Sequence, residues 1–146
     1  MSLKISLEGI DALIFDFDGV LTNNLVHLDQ EGKEWVSCSR ADGLAFDVLR
    51  KLEKPAYIIS TEENPVVTAR AKKLKIQALQ GITNKVDALC ALAKEHNYNL
   101  NRILYVGNDL NDYYVMQTCG FSACPIEPRP TNNAFITLLY NFVMLN

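Results

Sequence analysis

Two aspartates, Asp16 and Asp18, lie two residues apart in the segment IFDFDGVLT, where an apolar run ends. If that run is a strand, both carboxyl groups project from its end on the same side. The pair alone has two interpretations. It is either a DFDG turn in which Gly19 takes an unusual backbone conformation, or a site that holds a cation and does chemistry.

Further polar residues occur where later apolar runs end. Ser60 closes the segment AYIIS, and Lys85 lies in GITNKVDAL at the start of a predicted helix. The segment GNDLND supplies Asn108, Asp109 and Asp112 directly after ILYV. In a parallel sheet these chain positions would all meet at the carboxyl edge, where ligands bind.

These residue types suit phosphoryl transfer. Carboxylates that lie close together raise one another's pKa unless a cation lies between them. Mg²⁺ binds oxygen ligands, commonly a few carboxylates plus a phosphate. A carboxylate is also a nucleophile toward phosphorus, while a serine hydroxyl and a lysine ammonium orient and neutralise the phosphoryl oxygens. The combination therefore favours catalysis over a simple turn.

The apolar periodicity predicts an α/β fold with a parallel sheet and helices on both faces. A β-hairpin is predicted in LVHLDQEGKEWVS, residues 25–37. The predicted strands are residues 11–17, AYIIS, IQALQ, RILYVG and FSAC. The predicted helices are ADGLAFDVLRKLE, NPVVTARAKKL, a helix from Thr83 or Asn84 to about His96, and NDYYVMQTCG ending at Gly120.

Composition excludes several classes of protein. The 146 residues suit one domain over residues 1–146, with 49% apolar and 21% charged residues. A net charge of −3 argues against nucleic-acid binding. We expect no membrane span and no signal peptide. The four cysteines lack paired spacing, which predicts buried free thiols and a cytoplasmic protein.

The segments DFDGVLT, Ser60, Lys85 and GNDLND together resemble the four motifs of haloacid dehalogenase (HAD) superfamily phosphatases, over about residues 8–125. The chain resembles the small members, with a three-layer Rossmann-like fold, a β-hairpin and no cap domain. Long segments such as SRADGLAFDVLR and YVGNDLNDYYVM are similar to 3-deoxy-manno-octulosonate (KDO) 8-phosphate and nonulosonate 9-phosphate phosphatases. They are most similar to HAD domains associated with acylneuraminate cytidylyltransferases.

The resemblance implies a role for each catalytic residue. Asp16 would be the nucleophile and a metal ligand. Asp18 would be the acid/base, protonating the leaving oxygen and then activating water, and its carbonyl would also bind the metal. Ser60, Lys85 and the backbone N–H of Gly19 would hold the phosphoryl group.

The same resemblance implies Mg²⁺ as the cofactor. Asn108 and Asp109 are both candidate ligands beside Asp16 and Asp18, and Asp112 is a supporting residue. Many relatives have aspartate where this chain has Asn108, whose amide oxygen brings no charge. A second departure is the end of the chain, PRPTNNAFITLLYNFVMLN, which lacks the Gly-Gly-rich tail usual in relatives.

The implied substrate is a small phosphorylated keto-sugar acid, either KDO 8-phosphate or a nonulosonate (KDN or sialate) 9-phosphate. Glu62, Arg70, Lys73 and Arg40 are the substrate-binding candidates, with Arg70 reaching for the sugar-acid carboxylate. The alternative interpretation of these charges is a solvated helix face.

The resemblance also implies a homotetramer assembled through the hairpin. Three other functions stay open. The first is a related phosphatase that acts on another small phosphomonoester. The second is a weakly active or non-catalytic domain that assists a CMP-sialate synthetase, which Asn108 and the altered tail favour. The third is a receiver domain, but a receiver does not need the second acid, Asp18, after its phosphoacceptor.

Overall fold

A computed structural model describes residues 6–125 of the chain. Strands and helices alternate along most of this range. The strands are β1 (Ala12–Phe15), β2 (His27–Leu28), β3 (Glu34–Trp35), β4 (Ala56–Ile59), β5 (Gln77–Leu79), β6 (Ile103–Val106) and β7 (Phe121–Ala123). The helices are α1 (Ala41–Lys51), α2 (Val66–Leu74), α3 (Lys85–His96) and α4 (Tyr113–Thr118).

Five parallel strands form the main sheet, in the order β5-β4-β1-β6-β7. The central strand β1 lies between β4 and β6, with Phe15 paired to Ile58 on one side and to Val106 on the other. The carboxyl ends of these three strands are therefore level. The residues that follow them emerge together at one edge of the sheet.

Helices cover both faces of the sheet, as the periodicity predicts. Strands β1 and β6 are buried along their whole length because each face packs against helices. On the first face Phe15 contacts Phe46 of α1 edge-to-face, with ring centroids 5.3 Å apart. On the second face Ile14 and Tyr105 pack with Leu89 of α3. The three-layer prediction is confirmed.

Asn84 sets the start of α3. Its side-chain oxygen accepts hydrogen bonds from the backbone N–H groups of Val86 and Asp87, both at 3.1 Å. This N-cap satisfies two donors that the helix itself cannot. The sequence left Thr83 and Asn84 as alternatives, and the cap makes Lys85 the first residue of the helix.

The predicted hairpin is also confirmed. Strands β2 and β3 pair antiparallel, and His27 stacks on Trp35 with ring centroids 4.3 Å apart. At the turn, the Asp29 carboxylate accepts from the N–H groups of Glu31 and Lys33, both at 2.9 Å. Within residues 6–125 the strand connections hold this hairpin and the four helices, and no additional domain.

Some sequence predictions need correction. Helix α4 ends at Thr118 rather than Gly120, because the chain must turn into β7. The cysteines are free, but Cys90 and Cys124 are exposed and the other two are half-buried, so the expectation of buried thiols is wrong. The C-terminal segment PRPTNNAFITLLYNFVMLN lies outside the described residues. No helix in the described part of the chain is long and apolar enough to cross a membrane.

Gly120 offers a test of how the turn between α4 and β7 packs against the segment that precedes β6. A Cβ at this position would lie 1.9 Å from the Asn101 carbonyl oxygen, so backbone would have to move. We expect Gly120→Ala to lower the free energy of unfolding by about 1–3 kcal/mol, measured by urea titration.

Gly43→Ala is the matched control, because a Cβ there meets nothing within 4 Å and lies in the first turn of α1. It should leave stability unchanged or raise it by about 0.5–1 kcal/mol. Equal effects of the two substitutions would contradict the packing argument.

Candidate active site

A buried lysine links two buried aspartates at the carboxyl edge of the sheet. Lys85 Nζ lies 2.9 Å from Asp16 Oδ1 and 2.7 Å from Asp112 Oδ1. The exposed fractions of the three residues are 4% for Lys85, 5% for Asp16 and 0% for Asp112. Charges removed from water this completely persist only when they are paired and hydrogen-bonded.

Both oxygens of Asp112 are engaged by the protein. Oδ1 also accepts a hydrogen bond from the Tyr105 hydroxyl at 2.9 Å. Oδ2 accepts from the N–H groups of Asn108 and Asp109 at 3.1 and 3.5 Å. A Cβ on Gly107 would lie 2.7 Å from this carboxylate, so the loop needs glycine there. Asp112 thus orients Lys85 and the loop after β6.

Gly19 and Asn108 pack against each other on the opposite side of the site. Gly19 has φ +78°, and a Cβ on it would lie 2.0 Å from Asn108 Nδ2, so no other residue fits. The Gly19 N–H, predicted to bind phosphate, donates to Thr22 Oγ1 at 3.1 Å. The Asn108 Oδ1 is buried and accepts no hydrogen bond from the described residues.

Asp18 is half-buried at the mouth of the site. Burial raises the pKa of its carboxyl group. The Glu62 and Glu34 carboxylates raise it further, while the Lys85 ammonium acts in the opposite direction. The environment therefore shifts the pKa of Asp18 upward, the direction that suits a general acid.

Ser60 lies directly after β4 and is 1% exposed. Its Oγ accepts from the Glu62 N–H at 3.1 Å, which leaves the hydroxyl proton for another acceptor. Its carbonyl accepts from the Ile82 N–H at 3.0 Å and so ties the loop after β5 to the site. Glu62 Oε1 in turn accepts from the Asn64 N–H at 2.8 Å.

The oxygen donors around Asp16 suit a hard divalent cation. Burial raises the pKa of Asp16 to about 7, the Lys85 ammonium opposes this shift, and the Asp112 carboxylate adds to it. A second cation would hold the carboxylate ionised. The unpaired Asn108 Oδ1 is an available ligand, whereas Asp109 Oδ1 already accepts from the Leu110 N–H at 2.7 Å.

That donor set is poor in carboxylates. Among residues 6–125 no three His, Cys, Asp or Glu side chains form a metal-binding group. The Asp16 carboxylate, the Asn108 amide oxygen and the Asp18 carbonyl would leave about half of the octahedral ligand positions to water and substrate, as Mg²⁺ tolerates. The residues present therefore fit a magnesium ion.

The substrate-binding candidates are dispersed. Glu62 lies close enough to Asp18 to raise its pKa. Arg70 is engaged by the protein, since its Nη2 donates to the Ser39 carbonyl at 2.6 Å. Arg40 and Lys73 are exposed, the first just before α1 and the second near the end of α2. Their roles toward substrate stay predictions.

A cavity of about 220 Å³ lies away from this site, at the amino ends of β4 and β5. Two of its three cations already bind backbone carbonyls. Arg50 donates to the Leu74 carbonyl at 2.7 Å, and Lys54 donates to the Ile10 carbonyl at 2.9 Å. The cavity plays no part in the chemistry of Asp16.

Sequence reasoning missed three residues of the site. Tyr105 and Gly107 hold Asp112, and Thr22 accepts from the Gly19 N–H. Tyr105 had one available signal, a hydroxyl inside an otherwise apolar strand next to the acidic loop. Thr22 and Gly107 had only their positions inside the segments IFDFDGVLT and GNDLND.

Comparison with known proteins identifies relatives of this chain. The chain is 31% identical to the 3-deoxy-D-manno-octulosonate 8-phosphate phosphatase of Escherichia coli over 124 residues. The match covers 84% of this chain but 66% of that enzyme, just under two thirds of its length. No protein-family model matches the chain, so the comparison rests on individual proteins.

Two solved structures extend the comparison. A Streptomyces avermitilis protein assigned to the HAD family of hydrolases is 45% identical, with a TM-score of 0.80 over 82% of this chain and 69% of that one. The KDO 8-phosphate phosphatase of Moraxella catarrhalis, solved with magnesium, phosphate and KDO, is 30% identical. Its TM-score is 0.74 over 80% of this chain and 68% of that one.

The parallel sheet, which carries Asp16 and Asp18 after its central strand, has the fold of the HAD superfamily of proteins. Within that class, the chain belongs to the KDO 8-phosphate phosphatase family of the HAD superfamily.

Removing the Lys85 ammonium tests the buried charge cluster. We expect Lys85→Met to lower the free energy of unfolding by about 3–5 kcal/mol at neutral pH, because two carboxylates stay buried without their cation. The loss of Lys85 raises the pKa of Asp16 further, so the folded state binds that proton more tightly than the unfolded state. The stability deficit should therefore shrink as the pH falls.

Urea titrations at about pH 5 and pH 8 measure this difference. Lys94→Met is the control, since Lys94 is exposed on the same helix. A Lys85→Met deficit that equals the control, or that does not change with pH, would contradict the arrangement.

Proposed function

We propose that the chain is a Mg²⁺-dependent phosphomonoesterase that hydrolyses a phosphorylated keto-sugar acid through an aspartyl-phosphate on Asp16. The observation that carries this proposal is the buried Asp16–Lys85 pair after the central strand, with Asp18 two residues further on. Membership of a family of sugar-acid phosphatases supports the same chemistry.

Asp16 is positioned as the nucleophile. Lys85 binds one oxygen of its carboxylate, which holds the side chain in place, and the Asp16 N–H donates to the Val106 carbonyl at 2.9 Å. In the first step a carboxylate oxygen attacks phosphorus, and the bond from phosphorus to the sugar oxygen breaks. The Lys85 ammonium and the Ser60 hydroxyl offset charge on the phosphoryl oxygens.

Asp18 acts as the general acid in the first step and as the general base in the second. In the first step its protonated carboxyl group donates a proton to the leaving sugar oxygen, a role that the upward direction of its pKa shift supports. The Asp18 carboxylate then accepts a proton from water as that water attacks phosphorus. The Asp16 acyl-phosphate bond breaks, which releases phosphate and regenerates both carboxyl groups.

Asp16, Asn108 and the Asp18 carbonyl would hold the Mg²⁺ ion. When bound, this ion neutralises charge on the phosphoryl group. The magnesium and phosphate in the Moraxella catarrhalis enzyme support this assignment.

The sugar acid would lie beyond Asp18. Glu62 lies near enough to accept hydrogen bonds from sugar hydroxyls, and the exposed Arg40 and Lys73 are candidate partners for its carboxylate. KDO 8-phosphate has the strongest support because the family's curated members act on it. KDN or sialate 9-phosphate, a homotetramer and a cytoplasmic location are further parts of the proposal that rest on the sequence resemblance.

Replacing either aspartate tests the mechanism. We expect Asp16→Asn to reduce phosphate release about 10³-fold or more because the nucleophile is lost. Asp18→Asn should reduce it about 10²–10⁴-fold because both proton transfers slow. Phosphate is measured with KDO 8-phosphate, KDN 9-phosphate and sialate 9-phosphate. Glu95→Gln, an exposed change on α3, is the control.

Full activity in Asp16→Asn would overturn the nucleophile assignment. Absence of release from every substrate by the unmodified protein would favour the alternative, a non-catalytic domain that assists a CMP-sialate synthetase.

The Mg²⁺ dependence of activity shows whether Asn108 or Asp109 is the metal ligand. We expect chelation by EDTA to stop phosphate release and added Mg²⁺ to restore it. Asn108→Ala should raise the Mg²⁺ concentration for half-maximal activity at least about tenfold, the size of effect that a lost partner at a metal site commonly has. Asp109→Asn should change it little, because asparagine keeps the cap on Leu110. The reverse order of effects would assign the ligand to Asp109.

A further inference from the structure

The hairpin formed by β2 and β3 depends on its base for orientation. The two strands pair only with each other, within the sheet pairing of residues 6–125. Leu25, Leu28 and Trp35 are exposed, with exposed fractions of 62%, 67% and 54%. Val36 and Cys38, at the end of the hairpin, pack against the core. The contacts at this end therefore decide how the hairpin is held.

The base of the hairpin, where Thr22 and Cys38 meet, is connected to the loop that follows Asp18. Thr22 forms an antiparallel bridge with Cys38, which joins the two ends of the hairpin segment. Thr22 Oγ1 also accepts from the N–H groups of Gly19 and Asn24, both at 3.1 Å. The hairpin base and the turn that follows Asp18 are thus one connected unit.

The second connection is Arg70 of α2. Its Nη2 donates to the Ser39 carbonyl at 2.6 Å and lies 3.6 Å from Asp42 Oδ2 in the first turn of α1. The Arg70 side chain is 13% exposed and the Asp42 side chain 2% exposed. A charge that is largely withdrawn from water needs close partners, and the Ser39 carbonyl and the buried Asp42 carboxylate are those partners for Arg70. Because Ser39 lies directly after the hairpin segment, the Arg70 guanidinium contacts the chain at that end of the hairpin.

The hairpin base, which the Thr22–Cys38 bridge closes, is joined to the turn after Asp18. Thr22 accepts a hydrogen bond from the Gly19 N–H, and Gly19 directly follows Asp18 in the chain. Ser39, whose carbonyl binds Arg70, directly follows Cys38. A shift of the base would therefore move the segment next to Asp18.

We propose that Arg70 is a positioning residue. Its hydrogen bond to the Ser39 carbonyl holds the hairpin in its orientation beside Asp18. On this proposal Arg70 acts through the hairpin and does not bind the substrate's carboxylate. Its kinetic consequences rest on the proposed phosphatase function, whereas its structural consequence does not.

Trp35 reports on the hairpin directly because it is the only tryptophan of the chain. Arg70→Met keeps the apolar stem of the side chain but removes its donors. We expect it to lower the steady-state fluorescence anisotropy of Trp35 and to speed proteolysis within residues 23–37. Lys72→Met is the matched control, since it removes one positive charge from an exposed position of the same helix. It should leave both measurements unchanged.

Kinetics with two substrates separate positioning from substrate binding. We expect Arg70→Met to lower kcat/KM about tenfold for KDO 8-phosphate and by the same factor for p-nitrophenyl phosphate, which has no carboxylate. This is less than the 10²-fold that misplacing reacting groups by 1 Å can cost. Arg70→Lys keeps one N–H donor for Ser39 and should restore most of the anisotropy and activity.

Two results would overturn the proposal. One is a loss confined to KDO 8-phosphate with unchanged Trp35 anisotropy, which would make Arg70 a carboxylate ligand. The other is an unchanged Trp35 signal whatever the kinetics. If Arg70→Met does not fold, Arg70→Lys tests the proposal instead. The Trp35 anisotropy of Arg70→Lys must then lie between that of the native protein and that of the unfolded protein. An inactive native protein would refute the proposed function but leave the Trp35 test intact.

Discussion

The ammonium group of Lys85, buried between Asp16 and Asp112, is the interaction on which the rest of the site depends. It joins the end of β1, the first turn of α3 and the turn after β6. Each of these charges alone would cost several kcal/mol to bury. Their mutual contacts, with the Tyr105 hydroxyl and two backbone N–H groups, offset that cost and leave one arrangement. The reacting carboxylate is therefore held by elements that the core already fixes.

The scaffold explains why this cluster can be so rigid. Strands β1, β4 and β6 are buried on both faces and end level with one another. Residues that follow them have little freedom, because backbone hydrogen bonds continue past the strands, as from the Asp16 N–H to the Val106 carbonyl. The side of the site beside Asp18 is built differently. There the hairpin and a loop carry Glu34 and Glu62, whose positions depend on a few polar contacts.

Asn108 changes the electrostatics of the centre in a specific way. With a carboxylate at that position, two of the proposed metal ligands, Asp16 and residue 108, would present negative side chains to the metal and to the incoming phosphate. The amide keeps an oxygen ligand and removes one charge, so attraction for the metal and repulsion of the phosphate both weaken. Gly19 packs against this amide so closely that the two residues form one unit of the site. In the proposed ligand set, Asp16 would then be the one negatively charged side chain presented to the metal.

The sequence by itself determined the element order, the two-faced sheet and the motif residues Asp16, Asp18, Ser60 and Lys85. These depend on local periodicity and on the general rule that parallel strands end at one edge. Only the tertiary structure decided which polar groups already have hydrogen-bond partners within the protein. It engaged Asp109 as a cap, left Asn108 Oδ1 unpaired, and tied Arg70 to Ser39, 31 residues away in the chain. Such choices depend on distances between remote segments, which spacing along a chain does not contain.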